Sequence, residues 1–468
     1  MLSRPVLDPL VVGTVYLPVT VDWVAGDERK VKISVVGLGK LGSPLAAVLA
    51  DKGHSVVGVD VFPAFVEALR SGRAPVRETG LDELIEKNRA RLLATSDCAE
   101  AVLATDLTFI VVPTPSKADG TFSLEHTLAA SREIGKALRR KDAFHLVVIT
   151  STVMPGATGG PIRNCLEEAS EKLCGRDFGL CYNPEFIALG SVIRDMMHPD
   201  FILIGESDPR SGEILAGLYR DSWEGRPPVR RMSFINAELT KIAVNTFVTT
   251  KITYANMLAR LCERLPGADC DVVTEALGMD TRIGKKYLKG ALGFGGPCFP
   301  RDNVAFGALA RQNGVHALLA EATERFNREQ VAWIGEEMLQ RLPAGGRVGI
   351  LGLAYKPNTA VVEESQGIAL ARYFAARGVP VVAYDPAALE GARALLDGTV
   401  TFAESAADCA RQADLLFIAT PWDEFRQLPP SVLEGRARPV VVDCWKILPP
   451  EPFARVANLI VLGQGPAS

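Results

Sequence analysis

A cysteine set in a loop of glycines and prolines is the first place in this chain where chemistry is expected. The segment GFGGPCFPRD, Gly293 to Asp302, carries Cys298, followed by Arg301 and Asp302. Gly293, Gly295 and Gly296 let the backbone take conformations that other residues resist. Nearby cations would favour the thiolate, the form that attacks a carbonyl carbon. The other eight of the nine cysteines are scattered and read as buried, inert residues. There is no CxxC pair, and the histidines (His54, His126, His145, His198, His316) never fall four apart on a helix-like segment. No metal site is therefore expected.

A second constellation is Gly37, Gly39 and Gly42, a strict GxGxxG between the strand-like run VKISVV and the apolar helix-like run PLAAVLADKG. The first glycine permits a tight turn, the second lets a pyrophosphate approach the backbone, and the third lets helix and strand pack closely. The helix N-terminus then offers free N–H groups to the phosphates. Asp60 ends the next run, SVVGVD, where an acid meets the ribose hydroxyls and repels a 2′-phosphate. NAD is the expected cofactor. The turns VVPTP (Val111 to Pro115) and STVMPG (Ser151 to Gly156) also follow apolar runs, at the strand ends where such sheets bind ligands.

The elements that must position these residues occur twice. VKISVVGLGKLG, HSVVGVDV and DLTFIVVPTP are echoed by RVGILGLAYKP, VPVVAYDP and ADLLFIATPWDEF, and the second set ends in PVVVDCWKI. Short β-branched runs alternating with helix-like segments argue for parallel sheets with right-handed crossovers. Two Rossmann-like α/β domains are expected, at 31–215 and 345–468. Between them, from Asn236, runs a long helical stretch without Gly or Pro until Pro266. Its wide apolar surface needs a partner, and a second subunit is the expected one.

Composition sets outer bounds. With 468 residues the chain has room for two or three domains, and a formal net charge of -4 argues against general nucleic-acid binding. No stretch is apolar enough to span a bilayer. Unpaired cysteines fit a reducing compartment, so a cytoplasmic location is expected. Residues 1–30 read as an extension outside the first domain, since Pro18, Asp8 and Asp22 interrupt their apolar run and make a poor signal peptide.

Seven motifs together, GLGKLG, VPTP, STVMPG, YNPEF, AELTKIAVNTF, GFGGPCFPRD and GLAYKPNT, carry a resemblance to the UDP-glucose/GDP-mannose dehydrogenase family from about Val31 onward. The resemblance implies an NAD-binding domain, a central helical region at 216–335 that forms a homodimer or higher oligomer, and a second domain for the nucleotide sugar. It implies a double oxidation of a primary alcohol to a carboxylate, with Cys298 forming a thiohemiacetal and then a thioester. Lys241 and Asn245, four apart on one helix face, would stabilise the alkoxide and the oxyanions. Asp302 and Thr152 match residues that position water and assist proton transfer, and Glu185 matches a carboxylate that serves thioester hydrolysis. Which of Lys241, Asp302 and Glu185 takes the first proton is left open. Leu41, Thr114, Thr152 and Arg301 join the glycines and Asp60 around the cofactor. Phe186, Gly295 and Lys356 join Glu185, Lys241 and Asn245 around the substrate.

Three positions depart from the family pattern. Glu363 stands where a nucleotide-sugar-binding arginine is expected, Leu189 stands where an acid should precede Gly190, and Arg301 stands where lysine is common. The presumed chemical residues are kept while binding residues change, which points to an altered substrate. UDP-glucose is the first expectation and GDP-mannose the second. The competing readings are a simple two-electron dehydrogenase that needs no cysteine and a non-catalytic nucleotide-sugar-binding homologue.

Overall fold

The computed structural model describes residues 30–396, 398–435 and 438–466. The expected extension at 1–30 lies outside the described residues, apart from Lys30. The apolar runs read from the sequence form two sheets. The first contains β1 (Lys32–Val36), β2 (Ser55–Val59), β3 (Leu92–Thr95), β4 (Leu107–Ile110), β5 (Leu146–Ile149), β6 (Gly179–Tyr182), β7 (Ile202–Glu206) and β8 (Val229–Met232). Their order is β3-β2-β1-β4-β5-β6-β7-β8. Neighbours are parallel except β6 and β7, which pair antiparallel and reverse the last two strands. Every residue of β4, β5 and β6 is buried, as expected for strands covered by helices on both faces.

The second sheet contains β9 (Val348–Leu351), β10 (Val381–Tyr384), β11 (Thr401–Phe402), β12 (Leu415–Ile418), β13 (Val440–Asp443) and β14 (Asn458–Val461), in the order β11-β10-β9-β12-β13-β14. All its pairings are parallel. Strand order reverses at β1/β4 in one sheet and at β9/β12 in the other, and each reversal opens a crevice at the carboxyl ends of the strands. The expected α/β architecture, two Rossmann-like sheets with a helical region between them, is what the chain forms.

The echo between the halves is geometric as well as sequential. Gly37 has φ +101°, and a Cβ on Gly42 would stand 1.8 Å from the Gly37 carbonyl oxygen. Gly352 has φ +108°, and a Cβ on Gly367 would stand 2.0 Å from the Gly352 oxygen. The same tight turn thus follows β1 and β9, but the second carries a longer loop, from Leu353 to Ser365, before its helix begins.

The central stretch is a single helix, Phe234–Cys262, starting slightly earlier and ending earlier than the sequence suggested. Glu238, Lys241, Asn245, Thr249 and Asn256 lie on its buried side. Large apolar residues lie on the other: Phe247 is 66% exposed and Leu261 55%, with Tyr254 and Met257 also exposed. This inverts the usual amphipathic order, in which the apolar stripe faces inward. The polar inner stripe faces the helices Phe299–Gln312 and Leu318–Leu339, and so delivers charged groups to the middle of the molecule.

Candidate active site

The crevice at the β1/β4 switch point is shaped for a dinucleotide. A Cβ on Gly37 would stand 2.3 Å from the Val111 carbonyl oxygen, whereas nothing lies within 4 Å of a Cβ on Gly39. Gly37 and Gly42 therefore serve packing, while Gly39 borders open space where a pyrophosphate can approach the backbone. Leu41 is the residue before the helix Gly42–Asp51. Asp60 accepts from Leu38 N at 2.6 Å and Phe62 N at 2.9 Å, which fixes its carboxylate beside the glycine turn. A carboxylate offers about four acceptor sites, so capacity is left for a ribose diol.

The corresponding acid of the second sheet, Asp385, is fully buried and already satisfied. It accepts from Leu353 N, Ala354 N, Ala387 N, Ala388 N and Trp422 Nε1. The first crevice fits NAD; at the second, protein donors already take the acceptor sites of the corresponding carboxylate. Replacing Asp60 with Ala is expected to raise KM for NAD about 10- to 100-fold, the range for losing hydrogen bonds to a charged acceptor. Initial rates at saturating sugar read this directly, and an unchanged KM would take Asp60 out of the site.

Cys298 caps the helix Phe299–Gln312, and Asp302 N donates to the Cys298 carbonyl at 2.8 Å. Of the nine free cysteines it is the exposed one; the other eight are buried or half-buried. Its chemistry differs from the sequence expectation. The residue reaches the surface, yet burial of the sulfur is the largest influence on the thiol. Asp302 acts in the same direction and together they outweigh Lys241 and Arg301, so the pKa lies above the ordinary thiol value. Cations alone do not generate the thiolate here, and attack has to be coupled to removal of the proton.

The residues matched around Cys298 converge from three elements. Asn245 Nδ2 donates to Asp302 Oδ2 at 2.6 Å, joining the central helix to the cysteine helix. Lys241 Nζ donates to the Glu185 carbonyl at 2.6 Å and lies 4.7 Å from the ring centroid of Phe186. Burial lowers the Lys241 pKa, opposed by Asp302, Cys298 and Glu185. Glu185 is half-buried as a residue, but burial of its carboxyl raises its pKa to about 7 against the pull of Lys241.

Arg301 turns the other way. Its Nη1 donates to the Thr114 carbonyl at 3.3 Å, its Nε to Asp302 at 3.3 Å, and its guanidinium lies 4.5 Å from the Phe122 ring. Thr114 in turn donates to the Thr152 carbonyl at 2.8 Å, so the turns after β4 and β5 are tied together and to the cysteine helix. Thr152 itself is half-buried at this junction.

The second sheet contributes its long loop. Gly295 faces the Glu364 carbonyl, which would stand 2.2 Å from an added Cβ, and Gly296 (φ +82°) lies against the Tyr355 ring. Only Gly296 uses the conformational freedom expected of this loop; Gly293 and Gly295 are small because neighbours crowd them. Lys356 is half-buried, its pKa lowered by burial against the pull of Asp195 and Glu78.

The positions 31–223, 235–329 and 349–450 match, respectively, the NAD-binding, central and UDP-binding domains of the UDP-glucose/GDP-mannose dehydrogenase family. The chain belongs to that family. It is 39% identical to the UDP-glucose 6-dehydrogenase of Haloferax volcanii over 421 residues, covering 89% of this chain and 97% of that one. It is 35% identical to the GDP-mannose 6-dehydrogenase of Azotobacter vinelandii over 358 residues, covering 76% and 81%. The solved UDP-glucose dehydrogenase of Pyrobaculum islandicum superposes with a TM-score of 0.83 at 39% identity, covering 92% and 97%. The chain is thus an NAD-dependent nucleotide-sugar 6-dehydrogenase.

Two residues that the motifs do not single out brace turns beside the site. Glu238, fully buried, accepts from Gly156 N at 2.6 Å and Thr158 N at 2.7 Å and pins the STVMPG turn to the helix that bears Lys241. Its place one turn before Lys241 in AELTK was the available signal. Glu78 accepts from Gly190 N at 2.8 Å and Val192 N at 3.0 Å. Glu78 thus brings a carboxylate from a distant segment to the turn that follows Leu189, and nothing in the sequence marks it. Glu363 is exposed, and its carbonyl accepts from Gly296 N at 3.0 Å.

Proposed function

We propose that this chain oxidises the C6 hydroxyl of UDP-glucose to the carboxylate of UDP-glucuronate, with GDP-mannose as the alternative substrate. The observation that carries the reading is the meeting of Cys298, Lys241, Asn245 and Asp302 beside a dinucleotide crevice, linked to it by the Arg301–Thr114 bond. UDP-glucose comes first because the Haloferax volcanii relative named for it aligns over more of both chains than the GDP-mannose relatives do.

NAD supplies the hydride acceptor for both oxidations. Lys241 and the Asn245 amide hold the alkoxide as the hydroxyl proton passes to one of Lys241, Asp302 and Glu185, in a site where burial strengthens each hydrogen bond. Cys298 adds its sulfur to the aldehyde carbon and its proton passes to the carbonyl oxygen, forming a thiohemiacetal whose hydroxyl faces the same donors. Loss of a second hydride to NAD, together with the hydroxyl proton, leaves a thioester on Cys298. Glu185 as carboxylate takes a proton from water, hydroxide adds to the thioester carbon, and the C–S bond breaks, the leaving sulfur taking the proton back from Glu185 to return the thiol. Asp302, held by Asn245 and Arg301, keeps these donors in register. Phe186, Gly295 and Lys356 border the sugar and nucleotide.

The reading includes three domains, at 31–215, 216–335 and 345–468, and a cytoplasmic setting, where free thiols persist. No helix among the described residues is long and apolar enough to cross a membrane. It also includes a homodimer through the outer face of the central helix, because Phe247, Tyr254, Met257 and Leu261 form an apolar stripe that water does not favour. Light scattering is expected to give at least twice the chain mass, and Phe247→Asp to lower it to a single chain. A single-chain mass for the unaltered protein would refute the pairing.

The deciding experiment counts NADH per nucleotide sugar at completion, across a panel beginning with UDP-glucose and GDP-mannose. Two NADH and a uronate from one sugar support the reading and name the substrate. One NADH per sugar favours a simple dehydrogenase, and binding without NADH favours a non-catalytic homologue.

A further inference from the structure

The chain leading into Cys298 is held by side-chain amides where a neighbouring strand would ordinarily hold it. Residues 291–297 belong to no helix or strand, yet Ala291, Leu292, Gly293 and Phe294 are all buried. Buried backbone groups need partners. Asn256 Oδ1 accepts from Ala291 N at 2.9 Å and its Nδ2 donates to Leu292 O at 3.1 Å. Gln330 Nε2 donates to Ala291 O at 3.2 Å. Asn327 Oδ1 accepts from Phe294 N at 2.8 Å and its Nδ2 donates to Phe294 O at 2.9 Å. Gln366 Nε2 adds a second donor to Phe294 O at 3.2 Å. A carboxamide presents the donor and acceptor of a peptide group, so these side chains replace a strand edge.

We infer that Asn327 and Gln366 are positioning residues for Cys298, acting through the Phe294 peptide. Two features separate this from ordinary core packing. The clasp closes from three sides: Asn256 belongs to the central helix, Asn327 and Gln330 to the helix Leu318–Leu339, and Gln366 begins the helix that follows the second sheet's long loop. Gly293 is also fitted to it, since an added Cβ would stand 2.4 Å from Asn327 Oδ1 and 2.7 Å from Gln366 Oε1. Together with the Gly296 N to Glu363 O bond, Gln366 makes the position of the thiol depend on the seating of the second domain.

The inference rests on Cys298 as the nucleophile, so its test includes a reading that needs no turnover. In Asn327→Leu and Gln366→Met, the rate of Cys298 alkylation by iodoacetamide, followed by peptide mass spectrometry, is expected to change at least about threefold, as for a lost hydrogen bond. The kcat should fall about tenfold with KM for NAD and sugar within about twofold. Gln366→Met carries the test if Asn327→Leu does not fold. An unchanged alkylation rate in folded Gln366→Met, or a change in KM alone, would overturn the positioning role. Failure of the nucleophile is seen separately, as two NADH per sugar from Cys298→Ala.

Discussion

Replacing Cys298 with Ala is expected to stop uronate formation, lowering its rate by a factor on the order of 10³ to 10⁶, the range for loss of a covalent nucleophile. The loss should be selective. Asp60, Gly39 and the Arg301–Thr114 link are untouched, so NAD binding should persist with KM near the original value. Lys241 and Asn245 also remain, so the first hydride transfer retains its donors, and any NADH formed should not exceed one per sugar. Product analysis by mass spectrometry separates aldehyde from uronate. The position of Cys298 makes the expectation specific: it is the exposed cysteine, at the N-terminus of a helix, where the dipole favours the developing thiolate even though burial and Asp302 raise the pKa of the resting thiol. Uronate at the original rate from Cys298→Ala would remove covalent catalysis from the mechanism.

Glu185→Gln is expected to slow thioester hydrolysis by about 10² to 10⁴, the usual contribution of a general base. The carboxyl is raised to about 7 because burial disfavours its charged form more than Lys241 favours it. The sign follows. Below about pH 7 the proton is held and the base is lost, so hydrolysis in the unaltered protein should fall about tenfold per pH unit on the acid side. In Glu185→Gln that limb should vanish. Rapid-quench mass spectrometry is then expected to find the acyl adduct on Cys298 building up, with the first oxidation little changed. The same shift costs stability as pH rises from 4.5, where the unfolded carboxyl ionises, to about 7, where the folded one does. A Glu185→Gln protein with an unaltered acid limb and no adduct would assign hydrolysis to another group.

Much of this molecule was legible from local patterns. The runs ending at Gly, Pro or Asp became the strands, and the GxGxxG became a turn whose first glycine has φ +101°. Those features depend on residues adjacent along the chain, whose conformational preferences and periodicity are carried by the sequence itself. The polar inner stripe of the central helix was visible in the spacing of Lys241 and Asn245, since residues four apart share a face.

What only the tertiary structure decided involves groups distant along the chain. Glu78 reaches the turn at Gly190, Glu238 pins the STVMPG turn, and four carboxamides hold the approach to Cys298. No spacing rule links such residues, because folding of the chain brings them together. The sequence alone suggests conformational freedom for the glycines of the cysteine loop; two of the three are small because Asn327, Gln366 and Glu364 press against them. The thiol was read as favoured toward its charged form by neighbouring cations. Its pKa is raised instead, because the balance among burial, Asp302, Lys241 and Arg301 depends on distance and solvent exclusion, which a sequence does not contain. Residue types and local order thus determined the sheets, the glycine turn and the choice of candidate reactive groups, while packing decided how those groups are held and in which direction their proton affinities shift.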